Sequence, residues 1–176
     1  VAISEKEGWY ADTKGMQEKA YIYHSTVAQI IKHWVHHNTN IANVQGAEML
    51  SVALPEALAL QALESKFNRE AAQLIIQKKE GFYAKEKNNE PNKESTLIYA
   101  DGIEYIESGK GTVALYRLME TIGYEVFLSS FTGWLDDNVS KPSRFIDLYR
   151  RWLEKVPEIE KEKVKKLFET TEPLTL

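Results

Sequence analysis

Apolar positions recur every three or four residues along most of the chain, the period of a helix face. From Glu18 to His37 one such face carries Val27, Ile30, Ile31, Trp34 and Val35. No glycine or proline interrupts it, and Asn38, Thr39 and Asn40 end it. Gly46 to Phe67 predicts a second helix. It is apolar on nearly all sides through Ala47, Leu50, Ala53, Leu54, Ala57, Leu58, Leu60 and Leu63, which places it at the centre of the fold. Pro55 inside it removes the hydrogen bond to the Ser51 carbonyl and predicts a kink. The expected core contact sets Ala53, Leu54, Ala57 and Leu58 against Ile30, Ile31 and Trp34.

A third helix is expected from about Asn68 to Lys85. The polar run from Lys85 to Ser95, with Pro91 inside it, predicts a solvent loop. Lys110–Ile122 is a fourth helix, broken by Gly123, and Tyr124–Leu135 a fifth. After a turn from Asp136 to Pro142, Ser143 is expected to cap a sixth helix running through Lys155. Pro157 opens a seventh, acidic early at Glu158, Glu160 and Glu162 and basic late at Lys163, Lys165 and Lys166, as the helix dipole favours. Val1 to Asp12 alone has an extended reading. There is no internal repeat and no shift of composition, so residues 1–176 predict a single, mainly α-helical domain of about seven helices.

Charge narrows the partners. With 22 basic and 26 acidic residues the net charge is −4, which argues against nucleic acid as a partner. The absence of cysteine excludes disulfides, thiolate zinc sites and a cysteine nucleophile. No apolar run approaches the ~20 residues of a membrane helix, and Val52 to Leu60 already contains Pro55 and Glu56. No signal peptide is visible. The sequence begins at Val1, so a piece of a longer protein is expected, with any membrane attachment in the missing parts.

Candidate chemistry is sparse. His33 and His37, one helical turn apart, could grip a metal ion, but zinc requires a third protein ligand; the competing reading is a solvated helix edge. Gly109-Lys110-Gly111-Thr112 resembles the tail of a phosphate loop, without its leading glycine or preceding strand. Ser129 and Ser130 have no histidine or acid at a recognisable spacing. Trp134, Phe145, Tyr149 and Trp152 are expected in the core.

The run AQIIKHWVHH (28–37), then NTNIA, NVQGAEML (43–50) and SVALPEA, together with YIESGKGTVA (105–114) followed by LYRLMETIG, resembles the aminopeptidase-N-type zinc metallopeptidases (gluzincins). The similarity is to bacterial members fused to transporter-permease membrane segments. In that group H-E-x-x-H is followed by W-W-G-H-Q, V-Q-G-A-x-M-L, S-E-S-L-A-E-Y and Y-x-x-Y-R-K-G-S-L. The resemblance covers about residues 3–170. It implies the helical half of the thermolysin-like metallopeptidase fold, and it matches Ser4-Glu5 and Gly8-Trp9 to a strand beside bound peptide.

The same resemblance places the two metal-binding histidines on Ala28 and Lys32, and the catalytic glutamate on Gln29. The third ligand falls on Val52 and the tyrosine that stabilises the tetrahedral intermediate on Ser108. A methyl group, an ammonium and an isopropyl group cannot hold zinc, and Gln29 is no general base at neutral pH. The resemblance therefore implies a pseudoenzyme without cofactor, with an interaction or scaffold role, whose vestigial groove takes a peptide or protein segment. Its implied place is an extracytoplasmic domain of a bacterial membrane protein. The alternative is an active zinc-dependent aminopeptidase-like hydrolase whose site is aligned differently or completed from outside. Two readings of Lys32 follow: an ion pair with Glu56 or Glu48 in place of the metal, or a side chain that snorkels to solvent.

Overall fold

The computed structural model describes residues 15–90 and 94–174. The extended reading of Val1–Asp12, and the strand match at Ser4-Glu5 and Gly8-Trp9, lie outside them. Among the described residues there are seven α-helices and no strand. They are α1 (Met16–Asn38), α2 (Leu54–Lys66), α3 (Arg69–Asn89), α4 (Thr112–Ile122), α5 (Tyr124–Asp137), α6 (Phe145–Leu153) and α7 (Glu158–Glu169). No helix among them is long and apolar enough to cross a membrane.

α2 is the central element, as its all-round apolar sequence requires. Leu54, Pro55, Ala57, Ala59, Leu60 and Leu63 are buried, and α1, α3 and α4 pack around it. A π-helical turn, Met49–Ala53, runs directly into it. Pro55 therefore lies in the first turn of α2 rather than within a regular helix, and the Leu54 amide donates to Met49, five residues back. The helix absorbs the missing proline donor by widening its hydrogen-bond register.

The face of α1 turned to the core differs from the expected one. Ala20, His24, Ala28 and Val35 are buried, whereas Ile30 is 52% and Trp34 45% exposed; Ile31 packs only at the core's edge. Ala20 and Ala28 in this stripe let α1 lie closely against α2, where Ala53, Leu54 and Ala57 are fully buried and Leu58 half-buried. Leu54→Ala is expected to cost at least about 2 kcal/mol in denaturant melts, the range of a core leucine truncation.

α3 is capped by Asn68, whose Oδ1 accepts from the Ala71 amide at 2.9 Å, and it continues to Asn89. The charged run after Lys85 is thus helical for another turn. Lysine and glutamate are good helix formers, and nothing breaks the helix before Pro91. A second π-helical segment, Tyr105–Gly111, leads into α4. The two π segments pack on each other: a Cβ on Gly111 would lie 2.9 Å from Met49 Sδ. Gly46, in the NVQGAEML run, has φ +88°, and a Cβ there would meet the Ile98 carbonyl oxygen at 2.9 Å.

Ser143 does not cap α6. Its amide donates to the Asn40 carbonyl at 2.7 Å and its own carbonyl accepts from Ala42 at 2.9 Å, which ties the end of α1 to the start of α6. On α6, Phe145, Leu148, Tyr149 and Trp152 form one buried stripe. Trp152 stacks on Phe127 with ring centroids 4.2 Å apart and donates from Nε1 to the Phe127 carbonyl. Trp134 is buried beside Phe131, so all four expected core aromatics are in the core.

Candidate functional site

A cleft of about 490 Å³ opens between α1, α3 and the Tyr105–Gly111 segment. α1 contributes Tyr21, His24, Ser25, Ala28 and Gln29; α3 contributes Ile75, Lys78, Lys79 and Phe82. Glu104 and Ser108 close one side, and Glu56, the lone acid in the apolar first half of α2, forms the floor.

The floor is a closed hydrogen-bond set. Glu56 Oε2 accepts from Lys79 Nζ at 2.5 Å, Thr112 Oγ1 at 2.8 Å and Ser108 Oγ at 2.9 Å. Lys79 also donates to the Ser108 carbonyl at 3.0 Å and to Ser108 Oγ at 3.2 Å. Each charge is thus neutralised by a partner of opposite sign, the condition on which a partly buried pair is tolerated. His24 Nε2 donates to the Glu56 carbonyl at 3.1 Å, which leaves Nδ1 with the lone pair. Burial, helped by the Lys79 charge, lowers the His24 pKa to about 4, so the imidazole is neutral near pH 7.

That shift sets a pH dependence. An unfolded histidine takes up its proton near 6.5 and the folded one only near 4. The neutral form contributes its full stability above pH 6.5, and the contribution is lost as pH falls through that window. The total loss is about 3 kcal/mol. Chemical denaturation of wild type and His24→Gln at pH 7.5 and 4.5 should show a smaller acid loss in the variant.

The cleft brings together Ala28, Gln29 and Ser108, three of the five positions singled out through the resemblance. Lys32 and Val52 are half-buried and do not line it. The ion pair considered for Lys32 is not formed: Glu56 is held by Lys79 from α3, and among the described residues Lys32 has no ion pair. Glu48 lies near the buried Glu107, another acid. The family's zinc does not fit this donor set. Ala28, Lys32 and Val52 offer no ligand, and the Glu56 carboxylate is engaged by three protein donors. Among the described residues no three His, Cys, Asp or Glu side chains are placed to share a metal ion. His33 and His37 stand exposed on the outer side of α1. Gly109-Lys110-Gly111-Thr112 is helical backbone at the π-to-α junction, so its amides do not form a phosphate cradle.

A second polar cluster lies on the far side of the Tyr105–Gly111 segment. Lys110, fully buried, donates to Glu94 Oε1 at 2.6 Å and to the Glu172 carbonyl at 2.7 Å. Lys87 also pairs with Glu94 and donates to the Thr171 carbonyl, while Tyr83 OH donates to Glu94 at 2.9 Å. A larger groove of about 870 Å³ between α4 and α7 has an apolar floor of Leu118, Val164, Leu167 and Phe168. Its rim charges pair among neighbours, as in Lys166–Glu172 and Lys163–Glu160, so no unpaired set converges on it.

His24, Lys79 and Thr112 were not legible as site residues. The available signal was Glu56, an acid set among the apolar residues of the first half of the helix, which demands partners wherever it is buried. The fold and site define a mainly α-helical domain with a polar-floored cleft. Compared with protein-family models, curated proteins and solved structures, the chain matches none.

Proposed function

We propose that this chain is a non-catalytic interaction domain derived from an aminopeptidase-N-type zinc peptidase fold, with the old substrate groove kept as a binding cleft. One observation carries the reading: Ala28, Gln29 and Ser108, equated with catalytic positions by sequence resemblance alone, fall on the same cleft. Ala28 and Gln29 are neighbours on one helix, and Ser108 reaches the same cleft from a segment far along the chain. The chemistry supports binding over hydrolysis. Lys79 supplies the cation that Glu56 neutralises, and a protein ammonium cannot generate a hydroxide nucleophile as zinc does. The occupant suited to the cleft is an extended peptide segment, with Tyr21 and Phe82 as apolar walls and Ser25 and Gln29 as hydrogen-bonding groups.

The test has two arms. The purified chain, with zinc supplied, is expected to show no hydrolysis of aminoacyl p-nitroanilides; zinc-dependent turnover would restore the hydrolase reading. A pool of random hexapeptides, followed by amide NMR, is expected to shift Tyr21, Ser25, Gln29, Lys78 and Ser108. Shifts elsewhere, or none at millimolar peptide, would remove the binding role.

A further inference from the structure

Ser108 and Lys110 sit two residues apart in one π-helical segment, about half a turn from each other, so they face opposite ways. Ser108 faces the cleft, where it bonds to both Glu56 and Lys79. Lys110 faces the second cluster, where its two acceptors, Glu94 Oε1 and the Glu172 carbonyl, come from non-helical chain. Lys87 ties the same Glu94 to the Thr171 carbonyl. The burial of Lys110 is therefore compensated by the Glu94 carboxylate together with the tail carbonyl of Glu172 that is laid down over it.

A π turn holds one more residue than the α turn it replaces, and it is rare. Relaxation of the segment toward α-helix turns Lys110 out of its clamp and Ser108 out of the cleft together, because one stretch of backbone carries both. We propose that the Tyr105–Gly111 segment couples the C-terminal tail to the cleft: the tail's hold on Lys110 fixes Ser108, and through it Lys79 and Glu56, in the cleft wall. Linkage makes the coupling reciprocal, so a ligand that favours the fixed wall also holds the tail down. Its use as regulation rests on the binding role proposed above; the coupling itself does not.

Lys110→Met removes the clamp, and Lys87→Met weakens it with a milder effect on folding. Trp152→Phe loosens the α5–α6 contact instead and serves as the control. Hydrogen exchange and acetylation of Lys79 by an N-hydroxysuccinimide ester are read by mass spectrometry on the full chain without ligand. In both lysine variants the peptides covering 105–111 and 170–174 are expected to exchange about tenfold faster, with Lys79 acetylated severalfold faster. The control should change neither. Release of the tail with unchanged Lys79 labelling would overturn the coupling. So would an unmoved tail in both lysine variants, or a uniform rise in exchange across all helices. Failure of the hexapeptides to bind leaves these readouts intact, so the two proposals fail separately.

Discussion

Lys110→Met is expected to lower folding stability by about 3–5 kcal/mol, the cost of removing one member of a buried ion pair. The Lys110 side chain is 0% and that of Glu94 3% exposed. Burial pulls the Lys110 pKa down, and the hydrogen bond and charge of Glu94 push it back up. For Glu94, burial works to raise the pKa, but Lys110 and Lys87 together hold it below the ordinary value. Methionine fills much of the lysine volume, so the loss reports the charge and not a cavity. It leaves Glu94 with Lys87 and Tyr83, and the Glu172 carbonyl without its donor. Removing the carboxylate charge as well relieves part of this penalty, so Lys110→Met and Glu94→Gln should combine less than additively in denaturant melts. Full additivity would show that the two groups act separately. Because the folded Glu94 pKa is depressed, its contribution is present above the unfolded carboxyl pKa and is lost as pH falls through the folded value.

Glu56→Leu is expected to cost about 3–4 kcal/mol, near the lower end for breaking a buried pair. The carboxylate is the shared acceptor of Lys79, Ser108 and Thr112, and the Lys79 side chain is only 13% exposed. Leucine continues the apolar run of α2, so helix formation is unaffected while three donors lose their partner. Lys79→Met should show a comparable loss and strong coupling to Glu56→Leu in a double-mutant cycle. Lys32→Met should stay within about 0.5 kcal/mol, because among the described residues the half-buried Lys32 has no ion pair to lose. A large Lys32 effect coupled to Glu56 would instead restore the ion pair first considered from sequence.

The site was partly legible for a physical reason. Residues i and i+4 share a helix face, so Ala28 and Gln29 were placed on one helix with His24 a turn away, but no local rule says which face is covered. The Ile30–Trp34 face has the larger apolar area, yet it is the face left exposed. Close packing against α2 selected the stripe of Ala20, His24 and Ala28 instead, the imidazole being held there by its bond to the Glu56 carbonyl. Lys79 reaches Glu56 across 23 residues of sequence and Ser108 reaches the same carboxylate across 52, separations at which spacing carries no signal.

By itself, the sequence determined the helical class, the seven α-helices, the central place of α2, the break at Gly123 and the burial of the aromatic set on α5 and α6. These depend on periodicity, backbone freedom and apolar area, all properties of neighbouring residues. The tertiary structure alone decided two things: which lysine meets Glu56, and the pinning of the tail by a fully buried Lys110. Each depends on desolvation. A charged group becomes costly only when other elements close over it, and the partner that offsets the cost is whichever one the packing brings within hydrogen-bond reach.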